Sequence, residues 1–551
     1  MEENTVLGID YGTQSVRAVV CRAADGAVLS QSECAYAHRV MSEALPDGTP
    51  LPAGWALQHP QDYLDALFAC VPDALRASGV QAGSIRGLAL DFTGSTPLPL
   101  DRDGMPLCFH PEFAGHPHAY VKLWKHHGAA RQAEALNRLI GEKAPDLLAH
   151  YGGRVSSEVF FAKLLETAEE DPALFAQMDQ YMEAGDWVVQ RLTGAEVRSL
   201  SMAVNKAFYQ ADTGYPPFLE DAFPALGPLA DGLLRGRMIP IGQVAGYLQP
   251  DMARRLGLPA GIPVAPSMLD GHAAVPAVGI TGAGSAIYNA GTSSSLLLVE
   301  PAFHAVEGIC SCNFSGTLPG LYGYASGQSA MGDQLAWYVQ NGVPAALFRE
   351  AEARGVSVHQ LLSEQAAALA PGQSGLLALD WWNGNRSILA DTRLTGLMLG
   401  MTLQTKPHEI YRALMESLAF GLRRILEAHA EAGIHLNCLR LAGGISYKNP
   451  LFMQIISDVT RLPLLGSKPV PAPAIGSAIY AAVVSGCHPS LSEAIDRMNC
   501  LSGQNYTPDP ARSAVYDRLY AEYKRLYDHF GRGENDVMKR LLSLAAESRQ
   551  A

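Results

Sequence analysis

An aspartate closing an apolar run, with a Gly-Thr pair two residues on, stands near the start of the chain: Asp10, Gly12 and Thr13 in VLGIDYGTQSVRAVV (6–20). A turn of this kind offers backbone N–H groups and a hydroxyl to a phosphate. A carboxylate beside it suits Mg²⁺, usually held through water. The competing reading of Asp10 is a turn residue that merely ends a strand. The arrangement returns in SAIYNAGTSSSLLLV (285–299), where Gly291, Thr292 and Ser294 align with Gly12, Thr13 and Ser15 at an offset of 279 residues. Asn289 then stands in the place of Asp10, so only the first turn looks built for a cation. Chance explains one Gly-Thr turn between strands. A duplicated domain, with two turns facing each other across a cleft, explains both together and is the favoured reading.

The elements that must position these turns follow from periodicity. Residues 6–20 alternate as strand, tight turn, strand, and VLSQSECAYA (28–37) reads as a third strand. SIRGLALDFTGSTPLPL (84–100) is a strand entering a Gly/Ser/Thr loop, and LRLAGGISYKNPLFMQIISDVT (439–460) is a strand, a Gly-Gly loop and an amphipathic helix. Helical spacing runs through 62–75, 156–170 and 410–430. Tyr516, Leu519, Tyr520, Tyr523, Leu526, Tyr527 and Phe530 recur at three and four, a packing stripe. Strands alternating with helices predict an α/β architecture. Pro and Gly interrupt the pattern at 261–274, which predicts domains over 1–265 and 266–505, with a helical extension over 506–551.

Charge and cysteines exclude several classes. Lys and Arg number 41 against 54 Asp and Glu, a net charge of −13 that repels nucleic acid and anionic membranes. Nine cysteines without a Cys-x-x-Cys read as free thiols in a reducing cytoplasm. The acidic start, MEENTVLGID, is unlike a signal peptide, and the apolar run AIGSAIYAAVV (474–484) is too short for a bilayer. A soluble cytoplasmic protein is expected. GxxxxGK[ST], HExxH and GxSxG are absent, against a P-loop enzyme, a zincin or an α/β-hydrolase. GITGAG (279–284) has the wrong spacing for a dinucleotide loop. His126 and His127, adjacent in an expected helix, read as surface or partly buried residues on different faces.

The DYGT turn (10–13), the GTSS turn (291–294) and the AGG…N loop (442–449) together resemble the FGGY carbohydrate kinases over about residues 5–500. Membership implies two ribonuclease-H-like domains of the actin-like ATPase type flanking a cleft. It also implies ATP with Mg²⁺ as cofactors, and a small-molecule sugar as the partner. The strings 88–104, 118–127, 151–163, 318–333 and 378–387 resemble more narrowly the L-ribulose-phosphorylating branch of that family. That narrower likeness implies conversion of L-ribulose to L-ribulose 5-phosphate in arabinose breakdown, by an enzyme of a branch often found as a homodimer.

Phosphoryl transfer needs positioning, charge neutralisation and an acceptor for the hydroxyl proton. The resemblance assigns that acceptor role to Asp270, which follows a short apolar strand and precedes Gly271; an N-cap of the following helix is the alternative. It assigns Gly12, Thr13, Arg17, Gly291, Thr292, Gly332, Gly444 and Asn449 to ATP, and Asp10 to the metal. Sugar contacts are implied for Gly94, Ser95, Thr96 and Lys206, with Asp270 beside them; Trp124 reads as packing. Ala325 departs from the branch, which carries Glu there to reach sugar hydroxyls, and GTSSS replaces the usual GTSTC. The change at 325 keeps another ketose, such as D-ribulose or xylulose, as an alternative substrate. A non-catalytic actin-like nucleotide sensor is a more distant alternative.

Overall fold

The computed structural model describes residues 4–550, with the backbone alone for 549 and 550; the acidic residues Glu2 and Glu3 lie outside the described residues. The strand Thr5–Tyr11 is buried along its whole length. That explains why it reads as a continuous apolar run rather than an alternating one. Ser15–Arg22 returns antiparallel to it, Val28–Ala35 pairs next, and Ile85–Phe92 lies parallel on its other side. Pro263–Val264 and Met268–Leu269 then pair with Ile85–Phe92.

The second half repeats this plan. Ser285–Ala290, Ser294–Glu300 and Tyr322–Gln328 form an antiparallel meander, while Cys438–Ala442 and then Leu464–Leu465 add parallel strands on the opposite side. Ser311–Phe314 lengthens its outer edge. Apart from that strand and, in the first sheet, Met268–Leu269 and the edge strand Gly246–Tyr247, both sheets have the spatial order 3-2-1-4-5 with the same strand directions. The duplication expected from the two Gly-Thr turns is therefore present as two α/β halves.

Two helices fill the space between the sheets. Asp270–Ala277 and Ala472–Val484 pack on each other, and the latter lies over Thr5–Tyr11 and Ile85–Phe92 of the first half. A side chain at Gly8 would put its Cβ 2.0 Å from the Ala474 carbonyl, and one at Gly476 would put it 1.7 Å from that of Ala273. Glycine at both positions is what lets the helices seat so closely. The run AIGSAIYAAVV is thus apolar all round because it is buried between two sheets. No helix among the described residues is long and apolar enough to cross a membrane.

Between Ile85–Phe92 and Pro263 the chain builds a helical lobe whose own core includes Phe160–Glu170, while Ala184–Thr193 and Leu200–Lys206 pack toward the core of the first sheet. Here the histidine pair departs from expectation. His126 and His127 lie in a turn, not a helix, and His126 is fully buried, its Nε2 within 3.0 Å of both Glu166 oxygens. Lys122 joins the same carboxylate, so His126 belongs to a buried ion cluster, while His127 is exposed as expected. At the other end, Pro510–Gly531 packs Tyr516, Tyr520, Tyr523 and Tyr527 into the second core. Their spacing of three and four gives one helix face, as the stripe predicts.

Candidate active site

Three turns meet where the halves face each other. A cleft of about 570 Å³ is lined by Asp10 and Arg17 of the first hairpin, Asn289 of the second, Gly443 and Gly444 of the Gly-Gly loop, and Tyr447 and Lys468. In each hairpin the glycine N–H closes the turn, Gly12 on the Ser15 carbonyl (3.0 Å) and Gly291 on that of Ser293 (3.2 Å). The first turn is braced from outside: Tyr36 donates to the Gly12 carbonyl, Gln58 to that of Thr13, and Trp124 Nε1 to Thr13 Oγ1 (3.1 Å). Trp124 therefore holds the turn. The second turn is held by helix Gly332–Gly342: Gly332 N–H donates to the Gly291 carbonyl, and Asp333 N–H to that of Thr292. A Cβ at Gly332 would come 2.9 Å from that Gly291 oxygen, so the close approach requires glycine there. Asn449 stands apart. It caps helix Pro450–Thr460 by accepting from the Phe452 N–H, with its amide toward Met415 Sδ.

Carboxylates gather at the strand ends beneath these turns. Asp10 and Asp91 are register partners on neighbouring parallel strands. Arg17 Nη1 reaches Asp10 Oδ2 at 3.2 Å and is itself tied to Glu33. Ser477, on the buried helix of the second half, donates to Asp91 Oδ2 at 2.7 Å. Burial raises the Asp10 carboxyl, with Arg17 opposing. Burial and the Asp10 charge push Asp91 well up. Asp270 begins the helix Asp270–Ala277 and accepts from the Gly271 N–H at 2.7 Å. It caps its own next amide rather than the N2 or N3 amide of an ordinary N-cap. Burial and then Asp10 raise its carboxyl to about 6, opposed by the Gly271 hydrogen bond and Lys206. Asp10 offers the kind of oxygen ligand that suits a hard cation such as Mg²⁺; Asp91 Oδ1 has no hydrogen-bond partner, and the oxygens of the three carboxylates do not close into one group around a shared point.

The expected sugar loop lies against this set. Gly94, Ser95 and Thr96 are buried. A Cβ at Gly94 would overlap Leu269, the neighbour of Asp270, and come within 3.6 Å of Lys206 Cε, so loop, Lys206 and Asp270 converge. Ser95 adopts a left-handed φ of 57°. Two buried charges hold it there: Lys163 Nζ donates to the Ser95 carbonyl, and Glu183 Oε2 accepts from the Thr96 N–H at 2.7 Å. Burial lowers Lys163 to about 7 and raises Glu183 to about 7. Sequence reasoning misses Asp91, Lys163 and Glu183. Asp91 ends the strand LALDF much as Asp10 ends VLGID, and a lysine inside FFAKLL carries the mark of a buried charge.

Comparison with known proteins fits this geometry. The model of the FGGY family of carbohydrate kinases, N-terminal domain, matches residues 5–277, and its C-terminal counterpart matches residues 286–485. The chain belongs to the FGGY family of carbohydrate kinases. It is similar to a protein named Ribulokinase from Halalkalibacterium halodurans, 44% identical over 552 residues covering 99% of this chain and 98% of that one. A Ribulokinase from Mycolicibacterium smegmatis is 42% identical over 97% of this chain and 95% of the relative. Among solved structures, the xylulose kinase from Rhodospirillum rubrum superposes with a TM-score of 0.79 at 23% identity, covering 95% of this chain and 98% of that one. The gluconate kinase from Lactobacillus acidophilus gives 0.80 at 16% identity, covering 97% and 99%. These likenesses show that the FGGY chain has the two-domain, actin-like fold of the sugar kinases.

Proposed function

We propose that this FGGY kinase transfers the γ-phosphoryl group of ATP to the terminal hydroxyl of L-ribulose, giving L-ribulose 5-phosphate and ADP, a step of arabinose breakdown. The observation that carries the substrate is the near-full-length similarity to proteins named Ribulokinase. In this reading the sugar lies against Gly94–Thr96 and Lys206, with its terminal hydroxyl toward Asp270. As the new O–P bond forms and the β,γ-bridging bond breaks, the hydroxyl proton passes to an Asp270 oxygen. The Gly12–Thr13 turn, Arg17, the Gly291–Thr292 turn, Gly332 and Gly444 hold the triphosphate; Asn449 supports the Gly-Gly loop through the helix it caps. Asp10 would hold Mg²⁺, and the ion would supply positive charge against the phosphates there. Free thiols at all nine cysteines support a cytoplasmic setting.

A second reading, another ketose, draws on Ala325. It sits in the strand Tyr322–Gln328 and offers no side-chain acceptor. ADP release measured with L-ribulose, D-ribulose, L- and D-xylulose and glycerol separates the readings. The highest kcat/KM is expected for L-ribulose. A clear preference for another sugar overturns the substrate, and ADP release independent of sugar overturns the assigned site.

A further inference from the structure

Beside the sugar loop one carboxylate has no hydrogen-bond partner. Glu158 precedes the helix Phe160–Glu170 of the first half's lobe, and its side chain is only 23% exposed. Its nearest charged neighbour is Arg386 Nη2 at 3.8 Å, too far for a hydrogen bond. Arg386 comes from the second half, so the two side chains approach each other between the halves. The ammonium of Lys206 likewise has no hydrogen bond or ion pair among the described residues. Although burial works against charge on Glu158, Arg386, Lys206, Lys163 and His127 hold its carboxyl below the usual value. The Lys163 ammonium is the group that grips Ser95, and Lys206 is the one that flanks Gly94. Glu158 therefore belongs to the neighbourhood of the sugar loop.

A carboxylate and an ammonium left without hydrogen bonds in a half-buried space are costly unless something completes them. A polyhydroxylated chain does so for both, since its O–H groups donate to the carboxylate and its lone pairs accept from the ammonium. We infer that Glu158 is a specificity-determining residue of the sugar site. It accepts hydrogen bonds from ketose hydroxyls other than the one phosphorylated, while Arg386 steadies the same carboxylate from the second half. This rests on the placement of the sugar against Gly94–Thr96 and Lys206.

The test is calorimetric binding of L-ribulose to the full-length protein without ATP, with steady-state kinetics and denaturation midpoints alongside. It compares Glu158→Gln, Glu158→Asp and Lys206→Met. Glu158→Gln is expected to weaken L-ribulose binding by about tenfold, the scale of one lost charge-assisted hydrogen bond. KM for ATP and the midpoint should stay unchanged, and Glu158→Asp should recover part of the loss. Wild-type sugar affinity in Glu158→Gln with a loss in Lys206→Met overturns the role of Glu158 and leaves the sugar site standing. Wild-type affinity in both overturns the sugar site as well. A fall in midpoint with equal damage to both substrates makes Glu158 merely structural and overturns the inference.

Discussion

Asp10 and Asp91 are register partners at the ends of neighbouring parallel strands, and the charge of Asp10 raises the Asp91 carboxyl. Two carboxylates this close do not both ionise readily. Burial and then the Asp10 charge push the Asp91 carboxyl well up, and its Oδ1 has no hydrogen-bond partner. Ser477 fixes the other Asp91 oxygen from the second half. Arg17 Nη1 holds the carboxylate suited to the cation at 3.2 Å, and Asp270 lies close enough to feel its charge.

Asp270→Asn keeps the size and the contact to the Gly271 N–H but cannot take a proton. Turnover with L-ribulose should fall by about 10²–10⁴-fold, the usual range for a lost general base, while ATP binding measured by calorimetry is retained. Near-normal turnover would remove Asp270 from the chemistry.

The pH profile follows from the same group. The base works only when ionised, and burial with Asp10 raises its carboxyl to about 6. kcat/KM should therefore climb as pH rises to about 6 and level off above it. The stability effect has the opposite sense. A carboxyl raised in the folded state costs stability as pH increases through the folded value. Asp270→Asn should gain melting temperature over the parent at pH 8 and lose that gain at pH 4.

Asp10 and Asp91 are expected to differ under the same substitution. Asp91→Asn replaces a carboxyl that burial and the Asp10 charge already push toward its neutral form, and should change turnover little. Asp10→Asn removes the charge that suits the cation, so the Mg²⁺ concentration needed for half-maximal rate should rise about tenfold or more. Equal effects in the two variants would count against the division of roles.

The two Gly-Thr turns are legible in sequence because local chemistry makes them: an apolar strand, a glycine and a hydroxyl within four residues. The tyrosine stripe is legible because its helix buries one face. Lys163 and Glu183 act on one loop from separate elements, 20 residues apart in sequence. Neither has a local pattern beyond a charge among apolar neighbours, and only the tertiary fold brings them to Ser95 and Thr96. His126 misleads for a related reason. Its neighbours suggest a helix, but burial beside Glu166 fixes a turn.

The clamp on the sugar loop is testable through Lys163→Met. Methionine fills the space but leaves the Ser95 and Leu123 carbonyls without the ammonium that both now accept from. Stability should drop by ~1–3 kcal/mol for buried acceptors left unpaired. With Ser95 no longer held in its left-handed turn, KM for L-ribulose should rise more than KM for ATP. Urea midpoints and two-substrate kinetics check the two parts separately.

Tyr523 links the terminal helix to the second turn. Its hydroxyl donates to Asp380 Oδ1 at 2.7 Å, and Gln328 Nε2 donates to Asp380 Oδ2 at 2.7 Å. Gln328 in turn accepts from Ser294 Oγ at 3.0 Å, at the base of the Gly291–Thr292 turn. Tyr523→Phe keeps the ring in the core and removes one donor from a buried carboxyl. Urea unfolding should show a loss of ~1–3 kcal/mol, and a small rise in KM for ATP should accompany it as the support beneath Gln328 loosens. Tyr527, one turn further along the same helix face, serves as the control. Its buried hydroxyl makes no hydrogen bond of good geometry, so Tyr527→Phe should cost no stability and leave KM for ATP unchanged.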